Sequence, residues 1–110
     1  MSQAQKAASD AKEAYKNLLE DIDTHSNLLE AVENCTSGTQ EFTQALIDAN
    51  AQAIKLLNTY AGLGAGMQVD ENGLITFTKD ALNKVKDDYA EAQTDLAATA
   101  IRSQADLAEL

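Results

Sequence analysis

The sequence predicts a mainly α-helical chain, with three helices at about residues 3–34, 40–61 and 79–107 and a short β-hairpin inserted at 67–77. Three observations carry that expectation. Proline, the strongest helix breaker, is absent, and alanine, the best helix former, supplies much of the 45% apolar content. Apolar residues recur at alternating four- and three-residue steps, the spacing of helices packed side by side. One stretch alone, MQVDENGLITFTKDAL at 67–82, asks for something other than a helix.

The first helix carries the most regular seam. Ala4, Ala8, Ala11, Tyr15, Leu18, Ile22, His25, Leu29 and Val32 hold a heptad pattern for about four repeats. The seam opens with alanines and ends with Leu and Val, so its contact is expected to thicken towards the C-terminal end. Lys16 and Glu20 stand one turn apart on the polar side. Thr36-Ser37-Gly38-Thr39 breaks the helix, with Gly38 free to adopt the left-handed conformation and Ser37 or Thr39 placed to cap the next helix.

In the second helix the stripe is Phe42, Leu46, Ala49, Ala53, Leu56 and Tyr60, and Ile47, Ile54 and Leu57 widen it enough to reach a second neighbour. Gly62, Gly64 and Gly66 end it, each costing about 1 kcal/mol inside a helix. Asp70-Glu71-Asn72-Gly73 then reads as a turn, because Asn and Gly tolerate positive φ, and Leu74 to Phe77 have strand character. Thr78 is placed as N-cap of the third helix, with Asp80 in its first turn. The third stripe runs Thr78, Leu82, Val85, Tyr89, Ala92, Leu96, Thr99, Ser103 and weakens past Leu96, so truncation there is expected to cost little helix per remaining residue. Leu107 and Leu110 have little to bury against. The thin ends of helices one and three are expected to continue in a longer protein or to pair with another chain, so the chain is expected to be a single helical segment of a longer protein. Its helices either form an antiparallel bundle, or helices one and three extend as arms that pair between chains.

The net charge of −10, from 18 acidic and 8 basic residues, argues against direct affinity for nucleic acid or an anionic membrane. No stretch approaches the roughly 20 apolar residues of a membrane span, and the N-terminus lacks a signal-peptide core. Cys35 is the only cysteine, which excludes an intrachain disulfide, and without a secretion signal Asn34-Cys35-Thr36 is a chance match to the glycosylation sequon.

Searching for chemistry yields little. His25, the only histidine, sits on a helix seam with Asp21 and Asp23 to either side of it, and it has no second His or Cys at ligand spacing. A pH-sensitive contact is the most it offers. Gly62, Gly64 and Gly66 lack the third glycine of the dinucleotide fingerprint, Met67 standing in its place, and they follow a helix rather than a strand. Asp70, Asn72 and Gly73 resemble the start of a calcium loop, but the glycine is fourth instead of sixth and Ala81 occupies the bidentate position. Asp87 and Asp88 fall on an exposed face. The chain is therefore expected to be no enzyme, with no catalytic, cofactor-binding or metal-binding residue and no cofactor.

Val69-Asp70-Glu71-Asn72-Gly73-Leu74-Ile75-Thr76-Phe77-Thr78-Lys79-Asp80-Ala81-Leu82, after a Gly-rich helix end and before a long helix with Tyr89, resembles segments of phage tail tape-measure proteins from Gram-positive bacteria and their prophages. The likeness covers about residues 60 to 100. It implies a helical structural protein of the virion tail, made in the bacterial cytoplasm, whose length sets tail length and which fills the tail lumen before DNA ejection. Protein partners and self-association through helix seams belong with that reading. A second resemblance is to small secreted helical hairpins of the WXG100 type, partners or effectors in type VII secretion. There Tyr60-Ala61-Gly62 looks like a stand-in for the Trp-x-Gly turn, although Gln93 follows Tyr89 where the secretion signal has an acid.

Overall fold

The computed structural model describes residues 3–109, with side chains described as far as Ile101. It is mainly helical, with a two-stranded hairpin, as the sequence predicts. Helix α1 spans Gln3–Asn34, α2 spans Gln40–Thr59 and α3 spans Lys79–Glu109. Strands β1 (Met67–Val69) and β2 (Ile75–Phe77) pair antiparallel, with Met67 opposite Phe77 and Val69 opposite Ile75. The second helix stops two residues earlier than expected. Its last turn closes with the Tyr60 N–H donating to the Leu56 carbonyl, and Ala61–Gly66 tightens into a 3₁₀ helix.

The caps follow from residue chemistry. Gly38 has a φ of 87°, open to glycine without strain, and Thr39 Oγ1 accepts from the Phe42 N–H at 3.2 Å. Thr78 Oγ1 accepts from the Ala81 N–H at 3.2 Å, so the expected N-cap of α3 is in place. In the hairpin turn only Gly73 takes positive φ, at 84°, and Asn72 does not. The organiser is Asp70 instead. Its Oδ1 accepts from the Asn72 and Leu74 N–H groups at 2.8 and 3.0 Å, and its carbonyl accepts from Gly73 N–H at 3.0 Å.

Every member of the α1 seam from Ala4 to Val32 is buried or half-buried. Leu18, His25 and Val32 are its most buried positions, so contact does thicken after the alanines. The α2 stripe is likewise inward, with Ala49, Ala53, Leu56 and Tyr60 buried. Ile47 and Ile54 are not covered: they are 55% and 51% exposed, while Leu57 is half-buried. In α3 the stripe departs from the predicted one. Ala92 and Thr99 are exposed, and Gln93 and Ala100 turn inward in their place. Leu82 to Gln93, Val85 to Leu96 and Tyr89 to Ala100 are each an eleven-residue step, the period of an α-helix that keeps nearer 3.6 than 3.5 residues per turn. The expectations placed on Ser103, Leu107 and Leu110 lie outside the described residues.

The chain divides into two compact units. One joins residues 1–18 of the chain to residues 86–110. Within it a groove of about 300 Å³ is lined by Ala11 and Ala14 of α1 and by Asp88, Tyr89 and Ala92 of α3. The other unit comprises Leu19–Val85 and contains the second half of α1, all of α2, the 3₁₀ helix, the hairpin and the first turns of α3.

Candidate interaction site at the hairpin

Within the Leu19–Val85 unit, the hairpin is fixed by side chains from two helices. Asn50 of α2 is the principal clasp. Its Nδ2 donates to the Gly73 carbonyl and its Oδ1 accepts from the Ile75 N–H, both at 2.9 Å. One amide thus satisfies a donor and an acceptor of the turn, as its geometry allows. From α1, His25 Nε2 donates to the Ile75 carbonyl at 3.2 Å as the Nε2–H tautomer, and its ring meets Phe77 with centroids 5.5 Å apart at 60°. Burial lowers the His25 pKa below 6.5, because desolvation disfavours the imidazolium; the hydrogen bond to Ile75 opposes that shift without cancelling it.

One turn before His25, Asp21 ties α1 to α2. The Tyr60 hydroxyl donates to its Oδ2 at 2.9 Å, the Gln52 amide donates to its carbonyl at 3.1 Å, and the Lys55 ammonium stands 3.6 Å from Oδ1. Tyr60 is 5% exposed, so the bond to Asp21 supplies a buried phenol with its partner.

At the foot of the hairpin, the Thr78 N–H donates to the Gly66 carbonyl at 2.9 Å. A Cβ at Gly66 would collide with Ala81 Cβ and Thr78 Oγ1, so only glycine lets the backbone approach the start of α3 this closely. A Cβ at Gly62 would lie 2.9 Å from Val85 Cγ2. The glycine-rich segment therefore meets α3 side chains at these two points, and a close approach of backbone to helix accounts for both glycines.

The structure brings His25 and Gly66 against the 67–82 stretch, which itself contains Asp70, Asn72 and Gly73. Asp23, Asp87 and Asp88 are exposed, and Cys35 is a half-buried free thiol. Asp70 spends its carboxylate on backbone N–H groups of its own turn. Among the described residues there is no group of three His, Cys, Asp or Glu side chains placed to hold a metal ion, and no helix is long and apolar enough to cross a membrane. Asn50, Asp21 and Gln52 were not legible as contact residues, because their partners lie 23 to 39 residues away and no local pattern marks them. The chemistry assembled here is that of a structural lock, with amide, imidazole and carboxylate all bonded to backbone or to each other. Comparison with protein-family models, with curated proteins and with solved structures gives no significant match to this chain.

Proposed function

We propose that this chain is a structural and interaction segment of a phage tail tape-measure protein, without catalysis, working in the virion tail through protein contacts along its helix seams. One observation carries the reading. The passage that resembles that family, Val69 to Leu82, folds as a reversal clasped by Asn50 and His25 that feeds a helix capped at Thr78, in a chain that is otherwise mainly helical. The secreted WXG100-like reading draws less support, since Tyr60 is tied to Asp21 and the chain continues into a 3₁₀ helix and hairpin rather than straight into a helix.

Mass spectrometry of purified tailed virions from an induced lysogen tests the proposal. Peptides of this chain are expected in the particles, and an in-frame deletion is expected to shorten the tail in proportion, by up to about 1.5 Å per helical residue removed. Peptides found only in the culture supernatant, and lost when a secretion ATPase is deleted, would overturn it in favour of the secreted alternative.

A further inference from the structure

The buried stripe of α2 accounts for one side of that helix. The opposite side carries a second stripe that nothing within the Leu19–Val85 unit covers. Gln44, Ile47, Ala51, Ile54 and Asn58 follow one another at three- and four-residue steps, and all five are exposed. Ile47 and Ile54 stand on it 55% and 51% exposed, seven residues apart and hence on one line. Isolated exposed apolar residues need no explanation, but two isoleucines in heptad register around an alanine form a seam.

We propose that this outward face of α2 associates with the same face of a second copy of the chain, antiparallel, about a two-fold axis passing at Ala51. The assignment of a second copy rests on self-complementarity. A two-fold axis at Ala51 sets Ile47 beside Ile54 of the second copy, and Gln44 beside its Asn58. It also sets Asp48 beside Lys55 of the second copy, so that opposite charges meet twice at the edge of the seam. The small Ala51 lets the backbones approach where the helices cross. A parallel arrangement, whose two-fold axis runs along the helices, sets Asp48 and Lys55 of one copy on the opposite edge of the seam from those of the other, so neither opposite-charge pair forms. Antiparallel helices also oppose their dipoles. Lys55 is free to turn, since its pairing with Asp21 is a long 3.6 Å contact and its side chain is 60% exposed.

The contact is a small one. A 20-residue helix is roughly 30 Å long and one face of it buries less than a standard interface, so the expected association is weak. The inference stands on α2 alone and holds whatever larger protein the chain serves.

Sedimentation equilibrium, followed by cysteine cross-linking, tests it. The chain is expected to pass from monomer to dimer as its concentration rises towards about 1 mM, and the double variant Ile47→Asp/Ile54→Asp is expected to weaken that association at least tenfold, with unchanged circular dichroism. In a Cys35→Ser background, Ala51→Cys is expected to oxidise to a symmetric dimer. Asp48→Cys and Lys55→Cys alone should not, being offset from their own copies by roughly 9 and 12 Å along the axis. Mixed, those two variants should cross-link to each other. A chain monomeric throughout the range, a dimer indifferent to the two aspartates, or Asp48→Cys self-linking as fast as Ala51→Cys would each overturn the proposal.

Discussion

At the scale of single residues, the hairpin depends on a few side chains whose loss leaves specific backbone groups unpaired. Asn50→Ala orphans the Gly73 carbonyl and the Ile75 N–H together, and is expected to cost about 1–2 kcal/mol, read as a lowered urea midpoint with faster amide exchange at Ile75. Asn50→Asp keeps the acceptor for Ile75 but turns a carboxylate on the Gly73 carbonyl, so it should rescue only part of the loss. Gly66→Ala forces a methyl group into Ala81 and Thr78 and is expected to cost about 1–3 kcal/mol, whereas Gly64→Ala, whose new Cβ would meet only Leu57 at 4.0 Å, should be near neutral. Equal effects at the two glycines would contradict the close approach at the foot of the hairpin. His25 gives the pH dependence its sign. Its folded pKa lies below the unfolded value of 6.5, so the unfolded chain binds the proton more readily. The contribution of a neutral His25 is complete above pH 6.5 and is lost as pH falls through the lowered folded pKa. Thermal melts are therefore expected to drop on acidification below about pH 6.5, before most carboxylates titrate, and His25→Gln should flatten that part of the profile.

At the scale of elements, the three helices differ in how well a heptad describes them. In α1 the predicted seam and the buried positions coincide from Ala4 to Val32, because a long run without breakers lets one periodicity speak for the whole helix. The start of α2 at Gln40 and the Thr78 cap were legible for the same kind of reason, since local chemistry decides them, whereas Thr39 was one of two candidate caps and α2 closes two residues early. In α3 the heptad drifts off the buried face. A helix with 3.6 residues per turn advances about 20° per heptad, and by the third repeat that moves burial from Thr99 to Ala100. Small Ala, Thr and Ser side chains leave the sequence no means of marking the drift. Ala100→Glu is accordingly expected to reduce helix content and raise exchange in the C-terminal part of α3, while Thr99→Glu leaves both within error. The reverse result would restore the heptad. What the sequence hides altogether is the set of long-range bonds at Asn50, Asp21 and Gln52. A polar side chain midway along a helix looks alike whether it faces water or clasps a turn brought in by tertiary folding.

At the scale of the whole molecule, buried residues are shared unequally between the two units. Among the described residues, the Leu19–Val85 unit holds His25, Val32, Ala49, Ala53, Leu56, Tyr60, Leu63 and Val85, together with the hairpin bonds. Among its described residues, the unit formed by the two ends of the chain holds Leu18 fully buried and Ala100 at 9% exposure, and its seam is otherwise alanine, Tyr15, Tyr89 and Leu96 at partial burial. Burial contributes roughly 25 cal/mol per Å² of apolar surface, and alanine offers little such surface. Local stability should follow that distribution. Native-state hydrogen exchange is expected to separate two cooperative groups, with amides of α2 and residues 25–34 of α1 slower by at least tenfold than those before Leu18 or after Lys86. A peptide spanning residues 19–85 is then expected to unfold cooperatively by itself, with the Asn50 and His25 contacts to Ile75 intact and Asn50→Ala still destabilising. Truncation after Leu96 removes, among the described residues, the buried Ala100, so it should lower protection of the first half of α1 and leave the 19–85 unit unchanged. If the 19–85 peptide were unfolded, or if exchange were uniform along α1, the molecule would be one cooperative body whose stability depends on its alanine seams far more than their buried area supports.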